Sequence, residues 1–216
     1  MTMPNQPPAG KRSSDEAPID LFANIVHDNN RGGAPYANFL EVFRTLQDKV
    51  VSSNPPESVW DEVSAQMGVA IELLEPWWEP EWQRPAGMRT DLPGRGNPLL
   101  VPFVPREESD NHLTGHVEFR PFHLGGNGAA HGGTLPLLFD DIMGHLASQG
   151  GRSVARTAFL KVNFRKITPI GRELQVDATV DRIDGRKRWL TGRLFDGESL
   201  FADAEALFVE LLPGQP

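Results

Sequence analysis

From Tyr36 onward, apolar residues recur three or four apart through Phe39, Leu40, Phe43, Leu46 and Val50, which is one stripe of an amphipathic helix. A second helix is predicted behind it. Asn54 is its candidate N-cap, with Pro55 and Pro56 following where a missing N–H costs little. Its stripe runs Val59, Trp60, Val63, Met67, Ile71 and Leu74, and Pro76 ends it. Two such helices cannot bury their stripes against each other alone, so they must dock on the rest of the chain or on a partner subunit. The stretch 77–98, with Trp77, Trp78, Trp82 and its prolines, predicts an irregular wrapping segment.

Beyond Pro98 the period changes. Leu99 to Val104 reads as a short strand, and Leu113, Gly115, Val117 and Phe119 alternate as a second strand would. The glycine-dense loop FHLGGNGAAHGG follows, and behind it Leu135, Leu138, Phe139, Ile142, Met143 and Leu146 outline a buried helix stopped by Gly150 and Gly151. Two alternating runs, 157–164 and 173–180, are half-buried strands. Asp184-Gly185 and Asp196-Gly197 then mark hairpin turns of type I′, and Leu200 to Leu212 closes a meander as a last strand. About six antiparallel strands and one apolar helix have a plain solution: the sheet curls around the helix, an α+β arrangement. The expected organisation is a disordered tail over 1–18, too poor in large apolar groups to order itself, a helical extension over 19–98, and a domain over 99–212.

Composition narrows the function. With 21 basic and 29 acidic side chains the net charge is −8, which argues against a nucleic-acid partner. The absence of cysteine removes thiolate nucleophiles and Cys-ligated metals. His112, His116, His123 and His131 lack the i, i+4 spacing of a zinc-binding helix, so no metal is expected. No run is long enough to span a membrane and the N-terminal stretch is no signal peptide, so a cytoplasmic protein is expected.

The segments HGGTLPLLFDDIMGHLA, RTAFLKVNFRKITPIG and VDRIDGRKRWLTGRLFDGESLFADAEALFVEL resemble the hotdog-fold acyl-CoA thioesterases of the PaaI-like type, and within them the long-chain fatty acyl-CoA subgroup. The likeness covers about Leu99 to Leu212. It implies a hotdog fold, hydrolysis of medium- to long-chain acyl-CoA, and no cofactor other than the CoA carried by the substrate. It also implies a homodimer, and leaves open whether that dimer pairs again into a dimer of dimers. The family pattern is His-Gly-Gly with an acidic residue nine positions after the His, which is Asp140 counted from His131, and a Thr or Ser early in the next strand, which is Thr157. By the same resemblance the glycine loop of one subunit meets Asp140 and Thr157 of the other. Many relatives carry an Asn six positions before the His; here Gly125 stands there and Asn127 lies two residues later.

Thioester hydrolysis needs an activated water and donors for the oxyanion. Gly132 and Gly133 open a helix, where backbone N–H groups lack intrahelical partners and carry the positive end of the dipole. Asp140 is an ionisable group on a helix that otherwise wants burial. His131 is a positioning group for its loop. Asp141 competes with Asp140, since both flank the apolar stripe and only the family spacing separates them. Thr157 reads equally as a strand former on the polar face. Arg186 and Lys187, with Arg188, form either a solvated turn or a seat for the CoA 3′-phosphate. The alternatives to a hydrolase are a non-catalytic acyl-CoA binding protein and a hotdog hydratase or dehydratase, the latter without the Asn-Pro context that such a motif requires around Asp140 and His145.

Overall fold

The computed structural model describes residues 30–212 and Gln215. The tail expected over 1–18, and residues 19–29 of the extension, lie outside the described residues. The extension begins with two helices, α1 over Gly33–Ser52 and α2 over Glu57–Leu74. Asn54 does not cap α2. A residue preceding proline is pushed out of the α region, and Asn54 and Pro55 both precede one, so α2 starts only after Pro56 and has no side-chain cap.

The two helices dock differently. α1 buries Leu40 and Arg44, and Arg44 Nη2 donates to the Pro93 carbonyl at 2.8 Å. Arg120 ties α1 to the domain through Glu41 at 2.8 Å and Asp48 at 2.7 Å. Among the described residues α2 buries no side chain, and Ile71, Leu73 and Leu74 remain 65%, 69% and 60% exposed. From Glu75 the chain wraps irregularly, with short 3₁₀ turns at Glu75–Trp77, Glu81–Gln83 and Pro93–Gly96. Arg89 pins this wrap from inside, donating to the carbonyls of Arg31 at 2.7 Å and Gly33 at 3.1 Å while pairing with Asp91 at 2.8 Å.

The domain holds β1 (Phe103–Glu108), β2 (His112–Glu118), the short β3 (Leu124–Gly126) and β4 (Ala129–Ala130), α3 (Thr134–Ala147), β5 (Ala155–Phe164), β6 (Glu173–Asp184), β7 (Lys187–Asp196) and β8 (Ser199–Glu210). Six strands form one antiparallel sheet in the order β1-β2-β6-β7-β8-β5, with β3 and β4 as a separate hairpin. The first strand starts later than its apolar run suggests. Leu100 and Val101 are buried as an irregular plug, and Pro102, which cannot donate to a ladder, delays pairing to Phe103. Pro105 then sits at a bulge on the edge strand β1, a position that tolerates its missing N–H.

The sheet wraps α3 as the apolar face predicts: Leu135, Leu138, Phe139, Ile142, Met143, Leu146 and Ala147 are all buried. Small residues on the facing strands make the room. Phe139 lies against Gly192, where a Cβ would come within 3.1 Å of its ring, and Ala202, Ala204 and Ala206 line the neighbouring strand. Arg188 closes the other end of the helix, donating to the Ala147 carbonyl at 2.8 Å, where a cation meets the negative end of the helix dipole. Both Asp-Gly hairpins exist, but Asp184 and Asp196 pair within the ladders, opposite Lys187 and Ser199. The loops are therefore Gly185-Arg186 and Gly197-Glu198. Positive φ falls only on the glycines, at 56° and 54°, which is the II′ pattern and not I′.

Candidate active site

Asp140 leaves α3 on the side facing β5, and Thr157 Oγ1 donates to its Oδ1 at 2.7 Å. This contact depends on an irregularity. Thr157 pairs with Phe208 and Phe159 with Leu207, so Ala158 is an extra residue in β5. The bulge turns Thr157 onto the helix side, whereas unbroken alternation with Leu160 and Val162 would face it outward. Asp141 has a different partner. Its carboxylate, 11% exposed, forms an ion pair with Arg95 of the extension. The structure thus separates two adjacent acids that periodicity left equivalent: Asp141 is committed to a cation, and Asp140 to a hydroxyl, with lone pairs left over for a water.

Asp140 and Thr157 border a groove of about 540 Å³ between α3 and β5. Leu137, Gly144 and Phe208 line its domain side, and Trp82, Met88, Arg95 and Leu100 form its roof. Of the roof, the sequence marks only Trp82, through the tryptophan cluster of the wrapping segment; Met88, Arg95 and Leu100 carry no such mark. The only local signal is the Gly94-Arg95-Gly96 triplet, all three residues at positive φ, 60°, 52° and 69°. Among the described residues there is no group of three or more His, Asp or Glu side chains placed to hold a metal ion.

The glycine loop is built around His131. Its N–H donates to the His123 carbonyl at 2.7 Å, its carbonyl accepts from Thr134 N at 2.9 Å, and its Nδ1 accepts the Gly133 N–H at 3.0 Å. The imidazole therefore occupies one of the two glycine donors. The Gly132 N–H has no acceptor among the described residues and borders a second cavity of about 430 Å³, which Phe164, Arg165 and Lys166 also line. Gly125 has a steric reason: a Cβ there would lie 2.7 Å from His131 Cα, so no side chain, and no Asn amide, fits. Asn127 sits exposed at the turn between β3 and β4 with φ of 50°. His123, beneath the loop, is buried, and burial pushes its imidazole below the ordinary histidine value. Its neutral Nδ1 accepts the Arg120 N–H at 2.9 Å.

Gly132 and Asp140 do not form one site within this chain. Asp140 lies about two turns into α3 and Gly132 two residues before its start, which separates them by on the order of 10 Å, while a water and an oxyanion donor must act on the same carbonyl. Gly132 and the Asp140–Thr157 pair sit near opposite ends of β5, since Phe164, its last residue, packs within 3.8 Å of the Cβ position of Gly132. β5 is an edge strand, with one side unpaired among the described residues. Arg186 and Lys187 lie at the β6–β7 hairpin, where Arg186 Nη1 donates to the Glu210 carbonyl at 3.0 Å and Lys187 pairs with Val209; Arg188 is only 2% exposed and is consumed inside the fold.

Comparison with known proteins gives consistent matches. The family model described as "Thioesterase superfamily" matches residues 127–200. A candidate esterase of Pseudomonas aeruginosa is 30% identical over 112 residues, which is 51% of this chain and 84% of that protein. Acyl-coenzyme A thioesterase THEM4 of Mus musculus is 34% identical over 97 residues, 44% of this chain, so the chain spans only 41% of that relative's length. A crystal structure of a thioesterase superfamily protein superposes with a TM-score of 0.70 at 23% identity, covering 82% of this chain and 96% of that one. That coverage exceeds the 99–212 span, so the fold likeness takes in part of the N-terminal extension as well.

Proposed function

The chain belongs to the thioesterase superfamily, and on that premise we propose that it hydrolyses medium- to long-chain acyl-CoA thioesters to the free acid and CoA. The observation that carries this reading is the Asp140–Thr157 pair at the mouth of a roofed groove. The Asp140 carboxylate takes a proton from a bound water as that water attacks the thioester carbonyl carbon. Thr157 fixes the carboxylate. The oxyanion that forms is held by the Gly132 N–H at the positive end of α3, and collapse of the tetrahedral intermediate breaks the C–S bond. The proton on Asp140 then passes to the departing thiolate, which leaves as CoA.

In this reading the active unit is a homodimer in which each site takes Gly132 from one subunit and Asp140 with Thr157 from the other. An antiparallel pairing of the two β5 edges would bring the Phe164 end of one strand, with its Gly132, beside the Thr157 end of its twin. Pairing also satisfies the open edge and offers the bare stripe of α2 a second surface. Residues 19–98 act as a cap that roofs the acyl groove, and a longer chain gains about 0.8 kcal/mol for each CH₂ buried there. Arg186 and Lys187 are the proposed seat for the CoA 3′-phosphate.

A second reading, a non-catalytic acyl-CoA binding protein, is favoured by one observation: Gly133 N–H is occupied by His131 and Gly125 offers no amide, so the oxyanion donors are few. A free-thiol release assay over acyl-CoA esters of increasing length decides between the two. Thiol release that is lost in Asp140→Asn supports the hydrolase; binding without release supports the carrier.

A further inference from the structure

Beside the catalytic groove lies another cavity of about 390 Å³, walled by Leu92 of the extension, Phe103 of β1, Leu113 of β2 and Ile142 of α3. Its size falls within the range of small-molecule pockets. Four residues border both spaces: Arg95, Asp141, His145 and Gln149. The two cavities are therefore neighbours, divided by a polar partition. One half of that partition is the Arg95–Asp141 ion pair. The other is His145, whose Nε2 lies 2.7 Å from both Glu108 Oε1 and the Gln149 amide nitrogen.

The Arg95 half has the marks of a part that can move. Its side chain is 37% exposed, so water can take over the guanidinium when the pair opens. Its buried Nε has no hydrogen-bond partner, so the closed position does not satisfy the group fully. Its backbone holds φ of 52°, a left-handed conformation that a side-chain-bearing residue adopts only where its surroundings impose it. Behind it, Leu92, Phe103, Leu113 and Ile142 give the chamber an apolar surface suited to hydrocarbon, while Thr90 and Glu108 also line it.

We propose that Arg95 is the gate of a distal acyl chamber: held on Asp141 it ends the catalytic groove, and displaced from Asp141 it admits the far end of a long alkyl chain to the space walled by Leu92, Phe103, Leu113 and Ile142. This rests on the acyl-CoA reading of the groove. Arg95 is then a specificity-determining residue supplied by the extension, and it sets the chain length that the site accepts.

The test is calorimetric titration with S-alkyl-CoA thioethers, which bind without being cleaved, together with turnover of the matching acyl-CoA esters. In the wild type, affinity rises about fourfold for each added CH₂ until the groove is full, and then levels off. Arg95→Ala moves that limit to chains several carbons longer, and Arg95→Gln, which keeps the length of the side chain but not its charge, moves it likewise if the alanine variant folds poorly. Adding Leu92→Trp to Arg95→Ala fills the chamber and returns the limit to its original length. An unmoved limit in both Arg95 variants, or a longer limit that survives Leu92→Trp, overturns the gate. Thioethers that bind with the shifted limit while no ester is hydrolysed leave the gate standing and defeat the hydrolase. Hydrolysis with an unmoved limit does the reverse. Failure of every thioether to bind defeats both.

Discussion

Thr157 reaches Asp140 across the gap between β5 and α3 because Ala158 is inserted into the strand as a bulge, and the resulting 2.7 Å hydrogen bond runs from the hydroxyl to the carboxylate. A hydroxyl donating to a charged acceptor orients it and fills one of its lone pairs, leaving the second oxygen to hold water. Such a bond is worth about 1.5–3 kcal/mol. Thr157→Ala is therefore expected to lower kcat by about 10- to 100-fold with a smaller change in KM, and Thr157→Ser to recover most of it. Steady-state thiol release measures both, and an alanine variant with full kcat would remove Thr157 from the site.

The two adjacent acids should behave unequally. Asp140→Asn removes the proposed base in a nearly isosteric exchange and is expected to cost about 10²–10⁴ in turnover with an unchanged melting temperature. Asp141→Asn is expected to cost far less in turnover. Its effect on stability is no more than about 1 kcal/mol, because its partner Arg95 is open to solvent on one side. Equal losses of activity in the two variants would contradict the assignment.

Stability should fall in two steps on acidification. His123 is held neutral by burial, so its folded pKa lies below its unfolded one. The unfolded chain then binds the extra proton first, and stability declines as pH drops from the ordinary histidine range, about 6.5, through the lowered value. The carboxylates of Asp203 and Glu210 are depressed, chiefly by hydrogen bonds from Arg165 and Ser153 respectively, and their contribution is lost only below the ordinary carboxylate range. Melting curves between pH 8 and 3, about five pH units wide, should show the upper step in the wild type and not in His123→Gln. A wild-type melting temperature that stays level through the histidine range would refute it.

Much of this architecture is legible from spacing. The stripe from Leu135 to Leu146 predicts a buried helix, the alternation in 173–180 a half-buried strand, and the Asp-Gly pairs their hairpins, because each is a local pattern with one physical solution. What stayed hidden depends on departures from pattern. The face of Thr157 is decided by one bulged residue, which alternation cannot reveal, and the different partners of Asp140 and Asp141 depend on an arginine 46 positions away in sequence. The start of β1 is shifted by Pro102, and the loss of the Asn54 cap follows from two consecutive prolines. The most apolar parts of α2 pack on none of the described residues, so its stripe has no partner there that spacing could point to.

The central claim is that one catalytic centre draws on two chains, since Gly132 precedes α3 and Asp140 lies about two turns into it in each. It is tested by mixing two inactive variants. Asp140→Asn lacks the base, and Gly132→Val folds with its side chain against Phe164 while crowding the approach to the Gly132 N–H. Unfolded together and refolded at equal concentration, they form mixed dimers in which one of the two sites has an intact Gly132 and an intact Asp140. Half of the dimers are mixed, so thiol release should recover to about a quarter of the wild-type rate. A mixture that stays as inactive as its parents, with mixed dimers present by mass spectrometry, would contradict the shared site.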